Sequence, residues 1–287
     1  MISAARKLLL ATVLAFVKDE ALTRGAAIAF YAVTSLAPIL LIVIAIAGLA
    51  FGRQAAQEAI TGQFTALMGK QTSELLQSVI ASASQKSSGF IATAVGLVLL
   101  IVTASGVFGE MQSTLNTIWK TGHRTTNIGR LIRARATSLG LVAALGFLLI
   151  VSLAVSAGLA AFGHYLDALP IGKFVLIVLN FIVSLLLFGT LFGAIYKVLP
   201  DRTLQWTDVI VGALMTSFLF TIGKSLIGWY IGSSAIASSY GAAGGLIVLL
   251  LWVYYSVQIF LFGAEFTKVY ANTHGSKRNR PVAAAKD

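Results

Sequence analysis

The chain has 287 residues, 57% hydrophobic and 11% charged, which is far too little charge for a soluble globular domain. Its formal net charge of +11 is dispersed along the chain without a nucleic-acid-binding motif, so it points to anionic lipid headgroups and away from nucleic acid. The absence of cysteine excludes disulfides, thiolate chemistry and cysteine-based metal sites.

Residues 1–24 read as a cytoplasmic amphipathic segment. Arg6 and Lys7 precede an apolar run from Leu8 to Val17, and Leu9, Val13, Phe16 and Val17 share a helical face, the pattern of a helix lying at a membrane interface. Lys18, Asp19 and Glu20 stand where a signal-peptide cleavage site would need small residues, so no cleavage is expected.

Five stretches of more than twenty residues carry no formal charge: 25–52, 87–109, 136–163, 174–196 and 225–264. A helix crosses the hydrocarbon core with about 20 apolar residues, so each of the first four holds one crossing. The fifth is interrupted by Gly232, Ser233, Ser234, Ser238 and Ser239, and the apolar segment before that turn begins after Asp208 and carries Lys224 within it. The expected domain over 25–270 is therefore all-α, a polytopic six-helix bundle with spans near 26–50, 89–109, 138–162, 174–198, 208–231 and 242–267.

In the first span, Tyr31 and Ser35 precede Pro38, which removes a helical hydrogen bond in mid-span and could free a carbonyl to coordinate or hinge. Residues 53–88 form the one long external segment. Ile60, Phe64 and Leu67, then Leu75, Leu76, Val79 and Ile80, recur at helical spacing on either side of Gly69. They predict two short amphipathic helices capping the outer face, docked either on the bundle or on the lipid surface.

The second span ends in a polar stripe of Thr103, Gly106, Glu110, Ser113 and Thr117. Arg130, Arg133 and Arg135, with Leu131 and Ile132, suit a helix at the headgroups, serving either anionic-lipid recognition or ordinary topology. In the fifth span Ser217, Thr221, Lys224, Ser225 and Gly228 share a broad face, and Lys224 lies about 24 Å along the helix from Asp208. A lysine at that depth either meets a phosphate or carboxylate group, with Asn180 and Ser184 of the fourth span at similar depth, or snorkels to the headgroups.

The last span aligns Tyr255, Gln258, Phe262 and Glu265 within one quadrant. Glu110 and Glu265 fall near the helix ends on the side of the termini, where Arg24, Lys197 and Arg202 could pair with them. They are read either as anchors of helix ends or as a cation or proton relay, with Tyr31, Ser35 and Pro38 on the wall of the same cavity. Four G-x-x-x-G pairs, Gly48/Gly52, Gly189/Gly193, Gly228/Gly232 and Gly241/Gly245, serve close helix packing or a homo-oligomer contact. Residues 271–287 read as a basic disordered tail.

Of the 21 Lys and Arg, sixteen fall on the side of the termini, four on the opposite side, and Lys224 within the membrane. Positive loops stay cytoplasmic, which places both termini inside.

Several ordered motifs then resemble a family. They are Arg24, Ala26, Ala27, Ala29, Phe30, Tyr31, Ser35, Leu36 and Pro38; Gly106, Phe108, Leu115, Asn116 and Trp119; Tyr196 to Pro200 with Trp206 and Gly212; and Tyr240 to Ala242 with Leu251, Trp252, Tyr254 and Gly263 to Glu265. The chain is similar over about residues 20–270 to the YihY/BrkB family of bacterial inner-membrane proteins. The resemblance implies a multi-pass protein of the bacterial plasma membrane, a virulence-factor label linked to serum resistance, and relatives implicated in handling lipid-like envelope components. Some members were formerly labelled ribonuclease BN, a transfer-RNA-processing enzyme.

Three functions compete. Polar stripes, one lone intramembrane cation and no acidic ring favour translocation of an amphipathic envelope molecule, with Lys224, Asn180, Ser217, Thr221, Tyr255 and Gln258 as substrate contacts. A non-catalytic scaffold or envelope-integrity factor would use the same stripes as glue between helices. A nuclease needs a metal cluster or an activated nucleophile, and His123, His164 and His274 sit in separate loops without a companion motif. No enzyme activity, metal or cofactor is therefore expected, and no Walker motif supplies ATP energy.

Overall fold

The computed structural model describes residues 2–85, 106–121, 172–233 and 243–276, with isolated positions 140, 144, 147, 148, 151, 155 and 240. The segments 86–105, 122–135 and 277–287, the turn at 234–239 and nearly all of the third span lie outside the described residues. With them fall Thr103, Arg130, Arg133, Arg135 and the Gly241 of one glycine pair.

The described elements are all helical: α1 (Ile2–Lys18), α2 (Ala21–Phe51), α3 (Arg53–Met68), α4 (Lys70–Gln85), α5 (106–118), α6 (Gly172–Val198), α7 (Trp206–Ser233) and α8 (Gly244–Thr273). Stretches within α6, α7 and α8 are long and apolar enough to cross a membrane, and α2 holds an apolar run over Ala21–Leu36 within its 31 residues.

α1 carries no acidic residue and has Lys18 in its last turn, where a cation suits the helix dipole. The chain then turns through Glu20, held at φ 54° and ψ 37°, a left-handed conformation uncommon for a non-glycine residue. α2 passes position 38 undivided, so Pro38 stands within one continuous helix. Just before it, Thr34 donates to Phe30 O and Ser35 to Tyr31 O, hydroxyl bonds back to the preceding turn that bend a helix without breaking it.

α2 ends at Gly52 (φ 85°, ψ 145°), whose N–H donates to Gly48 O at 3.0 Å, and α3 begins at the next residue. Gly69 (φ 85°, ψ 171°) repeats the device between α3 and α4. Both conformations lie where a side chain is strained, which is why glycine punctuates the cap twice.

Two apolar clusters hold the described helices together. At the cap end, Leu40, Val43 and Ile44 of α2 meet Ile60 and Met68 of α3, Leu76 and Ile80 of α4, Ile231 of α7, and Val248 and Leu249 of α8. The cap therefore docks on the bundle. At the α1 end, Ile28, Phe108, Leu115, Trp119, Phe192, Tyr196, Leu199, Val209, Phe260 and Leu261 form the second cluster, with Phe16 of α1 packed against it.

α7 and α8 run antiparallel in a register set by two reciprocal pairs. A Cβ on Gly212 of α7 would collide with the Thr267 side chain of α8, and one on Gly263 of α8 with the Thr216 hydroxyl of α7. Each threonine donates to the carbonyl of the glycine one turn before it, Thr216 to Gly212 O at 2.7 Å and Thr267 to Gly263 O at 2.6 Å. The close approach is thus made by two G-x-x-x-T motifs. Among the expected glycine pairs, Gly189 and Gly193 pack α6 on Ser217 and Ala213 of α7.

The face expected on α1 is divided. Phe16 turns inward, its ring 5.9 Å from that of Phe262, while Leu9, Val13 and Val17 are exposed together with Leu10 and Leu14. Buried Thr12, satisfied by Leu8 O at 2.9 Å, offers a small contact surface, and it lies on the same side of α1 as Phe16.

Candidate functional site

The polar residues singled out from the sequence gather in two places on opposite stretches of α7 and α8. Toward the cap, Ser217, Thr221 and Lys224 share the side of α7 that faces α6. Ser217 Oγ approaches Gly189 of α6 and donates to Leu214 O at 3.0 Å. The Lys224 ammonium sits 5.4 Å from the Phe188 ring centroid, half-buried, with no carboxylate partner among the described residues. One turn earlier the Thr221 hydroxyl is buried without a hydrogen-bond partner.

The surroundings are aromatic. Phe188 packs on Phe220 at 4.7 Å, and Phe220 meets Trp252 of α8 edge-on at 6.2 Å. The Trp252 Nε1–H is also buried without a partner. The Tyr255 hydroxyl lies beside Gly223, the neighbour of Lys224, so α8 brings Tyr255 to the same level. Asn180 is exposed on α6 and hydrogen-bonds to none of these groups.

Gln258 faces α2. Its side chain fills the space where a Cβ on Gly25 would stand, Nε2 reaches Leu22 O at 3.4 Å, and Oε1 is buried without a partner. Tyr31 packs against Gly106 of α5, which joins α2 to α5, while the buried Ser35 hydroxyl is satisfied by its own helix. Glu110 is half-buried and makes no ion pair among the described residues.

The second gathering is at the α1 end. Lys268 Nζ lies 2.6 Å from Asp19 Oδ2 and 3.0 Å from Glu265 Oε2, bridging the α1–α2 turn to α8. Glu265 is wholly buried and its Oε1 has no partner. The sequence offered Arg24, Lys197 or Arg202 as partners for the glutamates. Instead Arg24 donates to Asp19 O at 3.2 Å, Lys197 to Leu204 O, and Arg202 to Trp119 O at 2.8 Å. The three cations close helix ends by binding carbonyls that no helix satisfies.

Burial disfavours the Asp19 carboxylate. The hydrogen bond from Lys268, the contact with Glu265 and the charges of Lys268 and Lys120 outweigh it and hold the carboxyl below its ordinary 3.8.

Sequence reasoning missed three further polar contacts here. Tyr196 donates to Phe260 O at 2.6 Å and meets Thr216 Oγ1 at 3.0 Å, locking α6 to both α7 and α8. Buried Asp208 accepts from Ser276 Oγ at 2.5 Å and Ser276 N at 3.2 Å, fastening the turn after α8 to the start of α7. Asp201 accepts from Asn116 at 2.8 Å and Gln112 at 3.2 Å. For the two aspartates the signal available was an acid beside an apolar run; their partners, 68 to 89 residues away, carried none.

Among the described residues no group of three or more His, Cys, Asp or Glu could hold a metal ion. The Asp19–Lys268–Glu265 cluster can carry charge or a proton between helices, and Lys224 can meet an anion.

The chain matches the family described as Virulence factor BrkB over residues 12–287. A UPF0761 membrane protein of Pasteurella multocida is 33% identical over 202 residues, 67% of this chain and 60% of its own length. One from Ralstonia nicotianae is 30% identical over 82% of this chain and 52% of its own length, and one from Mannheimia succiniciproducens 26% identical over 92% and 89%. The matched region spans 56–64% of the length of the Pasteurella, Tolumonas and Aggregatibacter relatives. No solved structure matches.

Proposed function

The chain belongs to the virulence factor BrkB family, and from that premise we propose that it translocates a lipid-like, amphipathic molecule across the bacterial inner membrane. It does so as a six-span bundle with both termini cytoplasmic and α3–α4 on the outer face.

The observation that supports this reading best is Lys224: a half-buried ammonium in an apolar helix, lacking a carboxylate among the described residues, one turn from the buried, unpartnered Thr221 hydroxyl, with the unpartnered Trp252 N–H on the far side of the Phe188–Phe220 pair. Unsatisfied polar groups within a membrane span are costly and are kept where a ligand or water completes them. Ser217, Thr221 and Lys224 line two turns of α7, with the Tyr255 hydroxyl beside Gly223, and would receive an anionic or hydroxylated headgroup, while the apolar flank of α6 offers a path for acyl chains. In this reading Asn180 and Gln258 make secondary contacts. Glu265 and Glu110 relay charge toward the opposite end, and Tyr31, Ser35 and Pro38 follow along α2 from that end toward the cap. The cytoplasmic face meets anionic headgroups.

The test is transbilayer movement of labelled anionic and zwitterionic lipids in liposomes carrying the purified protein. Movement above that of empty liposomes, reduced at least about tenfold by Lys224→Ala and restored in part by Lys224→Arg, is expected. Movement equal to that of empty liposomes for every lipid sinks the reading.

A second reading is a non-catalytic scaffold. It is favoured by the α1 end, where Tyr196, Asp208, Asp201 and Arg202 all engage structural partners.

A further inference from the structure

The cap carries a polar groove apart from the residues around Lys224. It encloses about 670 Å³ and is lined by Gln54, Gln57, Glu58, Thr61 and Thr65 of α3 and by Gln77 of α4. Gly62 also lines it, and a Cβ placed there would meet nothing within 4 Å.

Two contacts shape the groove before any ligand arrives. Ser73 of α4 donates to Thr61 O at 3.2 Å, joining the two helices at the groove wall, and Gln54 Nε2 donates to Glu58 Oε1 at 3.0 Å. The carboxamides of Gln57 and Gln77 and the hydroxyl of Thr61 keep no protein partner among the described residues. The apolar side chains of both helices, Ile60, Leu76 and Ile80, are buried against the bundle, so the groove lies on the opposite, hydrophilic side.

Its chemistry selects. A carboxamide offers one acceptor and two donors in a plane, which complements adjacent hydroxyls that each donate and accept. Among the described residues no cation lines the groove, and Glu58 repels anions, so phosphate and carboxylate are disfavoured. Among the described residues no long aliphatic side chain lines it either, which disfavours an acyl chain.

We propose that this groove binds a neutral polyhydroxylated group, a sugar or polyol, as the headgroup of the translocated amphiphile. Only the words "of the translocated amphiphile" rest on the function proposed above; the groove's selectivity stands without them.

The test uses the full chain in lipid nanodiscs and saturation-transfer NMR with methyl glucoside and inositol, glycerol 3-phosphate serving as the anionic comparator. The neutral polyols bind, glycerol 3-phosphate does not, and Gln57→Ala with Gln77→Ala weakens binding about tenfold, the loss of two neutral hydrogen-bonding groups. Lys224→Ala leaves this binding intact even where it abolishes lipid movement, so failure of transport and failure of the groove are separable. Glucosyl diacylglycerol added to the nanodisc displaces methyl glucoside if the ligand is a lipid headgroup. Absent binding, binding unchanged by the double substitution, or preference for glycerol 3-phosphate overturns the proposal; binding without displacement overturns its headgroup part.

Discussion

The two ends of the bundle are held by different forces. At the α1 end, Tyr196, Asp208, Asp201, Arg202 and the Asp19–Lys268–Glu265 cluster cross between elements with directional bonds, and the Gly–Thr pairs allow one register of α7 on α8. At the cap end, burial of aliphatic side chains does the work, with a long contact from Thr72 Oγ1 to Gly245 O at 3.5 Å between α4 and α8. Directional bonds fix position; apolar burial fixes area and tolerates sliding. The molecule therefore has a fixed base and a compliant lid.

The sharpest way to break this contrast is to crowd the base. Gly263→Val would drive a branched side chain into Thr216 and the Tyr196 hydroxyl, at about 3 kcal/mol or more. Loss of monodisperse protein in detergent is expected, whereas Gly62→Ala in the cap is neutral or slightly stabilising. Equal tolerance at both sites would erase the distinction.

Next in size is Lys268→Met. It leaves the Asp19 and Glu265 carboxylates together without their cation, at about 3 kcal/mol. Thermal unfolding should drop, and Glu265→Gln should drop it less, since one carboxylate then remains for Lys268. A larger loss for Glu265→Gln would mean that Lys268 is not the keystone of the cluster.

Leu76→Ala in the cap should cost about 2 kcal/mol, yet act locally. Limited proteolysis would show faster cutting within residues 53–85 with an unchanged global transition. Simultaneous unfolding of both ends would show that the lid is not independent.

The smallest effect is with pH. Asp19 has its carboxyl held below the ordinary 3.8, so its contribution is present above that value and is lost as pH falls through the lower folded value. Hydrogen exchange in residues 2–20 should stay slow at pH 5 and accelerate below about pH 3.8, with α3–α4 unaffected over the same range. Acceleration already at pH 5 would mean that another group holds α1.

How much of this was legible in the chain follows the same division. Helix positions were foreshadowed by apolar runs: α6, α7 and α8 overlap the stretches 174–198, 208–231 and 242–267, although α8 continues past Lys268 to Thr273. Gly69 announced the α3–α4 break, since a lone glycine between two amphipathic patterns has few other uses. Lys224 was conspicuous because a charge within an apolar run stands out against its neighbours.

The Asp19–Lys268 pair was hidden, because 249 residues separate its members and Lys268 looked like one more topology cation. The α7–α8 contact was hidden for another reason. A search for glycine pairs passes over threonine, which supplies both the small contact and its own hydrogen bond. At Pro38 the missing N–H is a local matter: α2 runs on through that position, after a turn carrying the Thr34 and Ser35 hydroxyl bonds.

Gly52 carries a mechanical meaning beyond its left-handed torsion. With α2 ending at Phe51 and α3 starting at Arg53, the backbone between two rods consists of one residue and its two dihedral angles. α3 can pivot about α2 but has no slack to translate away from it. A tilt of α2 is thus geared directly into a swing of the cap, with Gly52 as the universal joint.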